Sequence, residues 1–287
     1  MNKRNLLSAA TCARAIFTTL SLVFLLSSPE AEAQEAKATP PPVASSSSST
    51  PAAGNEQKAE QIVERAMKAL GGDAYMNVRS TTSRGYYSQF AEGAAGLPLT
   101  FVDYIVYPDR ERTEFKGQGV KVIQTNTGDT GWLYDGQAKT LQDMNKEQVD
   151  DFKLAMRTNI DYLLRGYWRK EGAKLSYVGR REAGIGRRNE TVRLTYTDGL
   201  SVEFEFAAQD GLPAKVIYKK KGKEGAETTE EDRFAQFINI EGVITPFIID
   251  HFRNSQQTSR INYQSVEINR SVPDSLFTRP ASAKAVK

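Results

Sequence analysis

Residues 200–206 read LSVEFEF. Leu200, Val202, Phe204 and Phe206 alternate with Ser201, Glu203 and Glu205, the pattern of a strand with one dry face and one wet face. Asp198-Gly199 precedes the run with hairpin chemistry, and residues 191–197 form another strand-like run just before that turn. The same design recurs at 78–90, 99–107, 110–116, 120–124 and 131–135, and again at 175–181, 214–220, 233–240, 245–253 and 258–268. About ten strands therefore build one large antiparallel sheet, and a sheet of that size curls. Its apolar face must be covered, and what covers it is the functional question.

Two amphipathic helices are available for the task. Asn55 can cap the first, which runs to Leu70 with Ile62, Ala66 and Leu70 on one face and Val63 and Met67 beside them, and Gly71-Gly72 ends it. The second is expected over 146–167, where Val149, Phe152, Met156, Ile160, Leu163 and Tyr167 step by three and four. It interrupts a chain of strands, so it is expected to lie across the concave face of the sheet. Curling around helices too small to fill it leaves an apolar cavity.

The ends of the chain differ from its middle. Residues 1–33 read as a secretory signal: Lys3, Arg4 and Arg14 are basic, 16–26 is a short apolar run, and Ala31-Glu32-Ala33 is a cleavage pattern. The apolar run is too short to span a bilayer comfortably. Cys12, the only cysteine, precedes it, which argues against lipidation and leaves the mature chain without thiols. Residues 34–54, rich in Ala, Pro and Ser, read as a tether. A single domain is expected over 55–280, with Leu276 and Phe277 as an apolar latch, and a tail over 281–287. Formal charge is +3 for the whole chain, too balanced for nucleic acid.

Several stretches resemble the bacterial outer-membrane lipoprotein-sorting family, with its LolA/LolB-like fold. They are ALGGDAYMNVRS (69–80), YPDRERTEF (107–115), TGWLYDG (130–136), DGLPAKVIY (210–218), INIEGVITPFIIDHFRN (238–254) and SVEINRSVPDSLF (265–277). The resemblance implies an α+β, mainly β fold: a curved antiparallel sheet forming a half-open barrel, with the two helices packed on its concave face. It also implies periplasmic binding of a lipid, a lipoprotein acyl chain or another hydrophobic ligand, without catalysis. A monomer with a transient envelope or outer-membrane protein partner is expected; the alternative is a periplasmic sensor or interaction module of the cell envelope, and after it an envelope hydrolase, for which Asp250 and His251 are the one available dyad.

The candidate ligand-binding residues are the apolar ones spread over many elements: Tyr86, Phe101, Tyr104, Phe115, Trp132, Tyr134, Phe152, Met156, Ile160, Leu163, Val202, Phe204, Phe206 and Phe247. Apolar pockets rimmed by a few polar groups are the usual design of small-ligand sites. Catalytic signals are weak. His251 is the only histidine, and its neighbour Asp250 would point to the opposite face of a strand. Asp109, Glu111 and Glu114 read as an outer face laced with charge pairs. Lys219, Lys220, Lys221 and Lys223, followed by Glu224, Glu227, Glu230, Glu231 and Asp232, read as a solvated hairpin tip. No phosphate loop or nucleophile elbow is present, and no cofactor or metal is expected.

Overall fold

Strand alternation dominates the architecture. The structure is a computed structural model that describes residues 52–222 and 225–286. The expected signal, nearly all of the tether, Lys223 and Glu224 lie outside the described residues. The chain opens with helix α1 (Ala52–Ala69) and a short α2 (Asp73–Met76). There follow β1 (Ser80–Ala91), β2 (Ala94–Ala95), β3 (Leu99–Val106), β4 (Arg110–Gly117), β5 (Val120–Thr127), β6 (Thr130–Asp135) and β7 (Thr140–Asp143). Helices α3 (Lys146–Thr158) and α4 (Ile160–Leu164) and a 3-10 turn (Tyr167–Glu171) lead into β8 (Lys174–Glu182). The second run is β9 (Arg188–Thr195), β10 (Ser201–Ala207), β11 (Pro213–Lys221), β12 (Glu227–Ile240), β13 (Val243–Arg253) and β14 (Gln256–Ile268).

These strands form one curved antiparallel sheet, ordered β7-β6-β5-β4-β3-β1-β14-β13-β12-β11-β10-β9-β8, with β2 paired to β1. The sheet is a half-open barrel. Its centre is the β1–β14 pair, in register from Thr81 opposite Ile268 to Gln89 opposite Ser259 with a bulge at Arg84/Gly85. Gly85 is required there, because a Cβ would sit 2.2 Å from the Asn262 carbonyl oxygen. The two outer edges, β7 and β8, are consecutive strands in sequence, so the opening is spanned by the α3–α4 segment that joins them.

Helix α1 starts at Ala52 rather than Asn55, so the last three residues of the expected tether are helical; Ala52 and Ala53 favour helix. Its buried face, Ala59, Ile62, Val63 and Ala66, joins Val192, Val202, Phe204 and Phe206 in the main core. The helix ends where Gly71, at φ +121, lets Leu70 O accept from Ile244 N at 2.9 Å. A Cβ on Gly71 would meet the Gly242 carbonyl oxygen at 2.3 Å.

The expected second helix is broken. Asn159 adopts an extended conformation and accepts from Asp161 N at 2.8 Å, capping α4. An Asn side chain that bonds its own following backbone competes with helix continuation. Asn145 and Gln148 form a capping box at the start of α3.

The C-terminal segment crosses the convex face. Trp132 donates from Nε1 to Phe277 O at 3.0 Å, and Arg112 donates to Leu276 O at 2.8 Å. Arg110 pairs with Asp274 at 2.6 Å and stacks over the Phe277 ring. The expected latch therefore closes over the outside of the sheet.

Candidate functional site

The core under α1 occupies only part of the concavity. The remainder, walled by β1, β3, β4 and β11–β14 and roofed by α3 and α4, is a cavity of about 460 Å³. On β3 the residues facing it are Phe101, Asp103 and Ile105; on β4 they are Glu111, Thr113 and Phe115. Helix α3 contributes Phe152 and Met156, and Ile160 of α4 completes that side. Phe234, Ile249, Ile261, Tyr263 and Val266 form the opposite wall. Tyr263 packs edge-on against Phe101 at 5.7 Å and against Phe247 at 6.2 Å, so the wall is a stiff aromatic surface.

Three clusters of charged residues interrupt this apolar lining. Under the helices, Asp161 accepts hydrogen bonds from the hydroxyls of Tyr107, at 2.8 Å, and Tyr75. The Arg165 guanidinium lies 4.1 Å from the Tyr107 ring centre and 4.8 Å from that of Tyr75. It also donates to the carbonyls of Val78 and Tyr75. Burial, reinforced by the Asp161 charge, pushes both phenols far above their ordinary range, so they stay protonated donors.

On the far wall, Glu230 accepts from Arg253 Nε and Thr228 Oγ1, each at 2.9 Å. Its other oxygen, Oε2, is buried with no hydrogen-bond partner among the described residues. Next to it, His251 Nδ1 meets Asp232 Oδ1 at 2.5 Å. Burial disfavours the charged imidazole, but the Asp232 carboxylate outweighs it and the histidine is raised above its ordinary value. Asp250 faces the other way, with Arg260 at 2.6 Å and Gln257 at 2.7 Å.

The third group is a pair of carboxyls. Asp103 is 7% exposed and accepts the Thr113 hydroxyl at 2.7 Å. Glu111, half-buried, sits diagonally across the β3–β4 ladder, where Asp103 opposes Thr113 and Ile105 opposes Glu111. Burial raises Asp103 to about 7. Burial, then the neighbouring Asp103, raises Glu111 well above the ordinary carboxylate range. Among the described residues no cluster of His, Cys, Asp and Glu could hold a metal ion, and no helix is long and apolar enough to cross a membrane.

Solved structures share this architecture at low sequence identity. A LolA superfamily protein from Nitrosomonas europaea superposes at a TM-score of 0.53 with 15% identity, over 77% of this chain and 97% of that one. The fold is LolA-like. A DUF1329 family protein from Desulfovibrio piger gives 0.52 at 13% identity, over 77% and 97% of the two chains. An outer membrane lipoprotein-sorting protein domain from Vibrio parahaemolyticus gives 0.50 at 11%, over 78% and 97%. No family sequence model and no curated protein sequence matches the chain.

The LolA-like sheet sorts the fourteen candidate residues into three groups. Phe101, Phe115, Phe152, Met156 and Ile160 line the cavity. Leu163, Val202, Phe204 and Phe206 are in the filled core beneath α1, each no more than 1% exposed, and Phe247 is buried behind Tyr263. Tyr86, Tyr104, Trp132 and Tyr134 are on the convex face, at positions that alternate with the cavity-facing ones. A one-residue difference in parity sends a strand side chain to the opposite face. Of these four, Trp132 is covered by the Leu276–Phe277 segment, whereas Tyr86 is exposed.

Residues assigned to the outside by sequence turn inward. Glu111 faces the cavity, and Glu230, expected in a solvated hairpin, is buried beside Arg253. Lys220 reaches Asp151 of α3 at 2.7 Å rather than standing in water. Asp103, inside the apolar run LTFVDYIV, also faces the cavity. The signal was present: it shares parity with Phe101 and Ile105, as Glu111 does with Thr113 and Phe115.

Proposed function

We propose that the protein is an exported, non-catalytic carrier that holds the apolar chain of a lipid, or of a lipoprotein, in the concavity of its half-open barrel. The observation that carries this reading is the 460 Å³ cavity left where α1 does not fill the sheet. It is walled by Phe101, Phe115, Tyr87 and Ile261 and roofed by Phe152 and Met156. Each methylene moved from water into such a wall is worth about 0.8 kcal/mol, so one acyl chain supplies useful affinity without a charge contact. Export is supported by the basic, apolar and A-x-A pattern of residues 1–33. A periplasmic setting is also supported by the likeness to a domain named for outer-membrane lipoprotein sorting.

Native mass spectrometry of the protein purified from a bacterial periplasm without detergent tests the proposal. Adducts that extract into organic solvent and match lipid masses are the expected result, and their masses name the ligand class. A clean apo mass, unchanged after incubation with envelope lipids, overturns the carrier reading. Loss of the signal from the periplasmic fraction on deletion of 16–26 tests export separately.

A further inference from the structure

The charges facing the cavity do not balance. Arg165 lies beside Asp161 at 3.5 Å, Arg253 beside Glu230 at 2.9 Å and His251 beside Asp232 at 2.5 Å. Asp103 and Glu111 remain, and no lining residue supplies a cation for them. Asp103 Oδ1 is occupied by Thr113, but Oδ2 has no hydrogen-bond partner among the described residues, and neither carboxyl oxygen of Glu111 has one. The groups that surround the pair are neutral or acidic. Ser83 of β1 opposes Asp103 in register, Thr113 of β4 does so from the other side, and Tyr263 of β14 lies within the field of both carboxyls. Placing a buried carboxyl and a half-buried one side by side on an apolar wall without a cation is costly.

We propose that Asp103 and Glu111 select the polar end of the ligand, and that the cavity takes an amphiphile whose apolar chain packs on Phe101, Phe115 and Met156 and whose protonated amine lies between the two carboxyls. This deepens the carrier reading and rests on it. An apolar cavity with an excess of carboxyls attracts a cation and disfavours an anion, so a fatty acid of the same length binds worse than the amine. Burial raises Asp103 to about 7 and Glu111 well above the ordinary carboxylate range, so an arriving ammonium displaces a proton. The amine can belong to a free alkylamine or to a phospholipid headgroup.

Isothermal titration of the full chain with dodecylamine, dodecanol and dodecanoate, below micelle formation at pH 7, tests the assignment. Dodecylamine is expected to bind at least tenfold more tightly than dodecanol, and dodecanoate more weakly than both. Repeating the amine titration in buffers of different ionisation enthalpy is expected to reveal proton release. In the isosteric double variant Asp103→Asn, Glu111→Gln the amine preference disappears while dodecanol binding is retained; Glu111→Gln alone weakens the preference. Dodecanol binding as tightly as dodecylamine, or a preference unchanged in both variants, overturns the proposal and leaves the carrier reading standing. Failure of all three chains to bind overturns the carrier reading itself. Lysophosphatidylethanolamine binding above lysophosphatidylglycerol assigns the amine to a headgroup; parity between them assigns it to a free amine.

Discussion

Strands β3 and β10 have the same alternation and opposite surroundings. On β10 the inward residues Val202, Phe204 and Phe206 are no more than 1% exposed, pressed into the core shared with α1. On β3 the inward residues Phe101, Asp103 and Ile105 face open volume. Periodicity tells which face of a strand is dry. It does not tell whether a helix or a void lies above that face. Only the length and placement of α1, whose buried face packs on the β8–β10 side of the concavity, decide between them.

Truncation should expose this contrast most sharply. Phe204→Ala opens a void in a filled core and is expected to cost about 3–5 kcal/mol. Phe101→Ala merely enlarges an existing cavity, and its cost should be about half as large. Denaturant unfolding of the two variants checks this, and equal losses would mean that both halves are equally packed. Enlargement should show the reverse. Val202→Trp overpacks the filled half and is expected to cost about 1–3 kcal/mol or more. Ile261→Trp has free volume to enter, so it should leave the melting temperature within a few degrees while lowering affinity for a bound alkyl chain at least tenfold.

The carboxyl pair gives the open half a pH signature that the filled half lacks. Asp103 and Glu111 are raised in the folded protein, so folding favours their protonated forms. Their contribution to stability is then greatest below the ordinary carboxylate range and falls as pH rises toward about 7, where Asp103 ionises. Denaturant midpoints at pH 5 and pH 8 should differ in that direction, and the Asp103→Asn, Glu111→Gln variant should lose most of the difference. The smallest effect belongs to His251. Its pKa is raised beside Asp232, so its contribution is present below its unfolded value and lost as pH rises through its folded one. His251→Gln should slightly flatten the slope between pH 6 and 8, and no change would mean the pair is neutral to stability.

Most of the sheet was legible because its strands carry period-2 patterns bounded by Gly, Asn and Asp. The short β7 and the two-residue β2 were not, having too few residues to show a period. The break at Asn159 was hidden inside a helical spacing that continues through it. For the site, the apolar stripe of α3 was readable from Phe152 and Met156. The parity of β1, β4 and β6 was not, because each has large or charged side chains on both faces. Trp132 is buried on the convex face because a distant segment, Leu276–Phe277, shields it, and no local window of sequence contains that contact.

The sheet is joined at its centre by its first and last long strands, Thr81 lying opposite Ile268. The middle of the barrel therefore cannot close until residues 256–268 are available to β1. Contacts so distant in sequence make folding slow. Until β14 pairs with them, β1 and β13 each present a bare edge of backbone donors and acceptors. A chain cut short before β14 would keep its helices, its hairpins and most of its apolar surface, yet it would hold two unpaired edges side by side, which is the geometry from which chains aggregate.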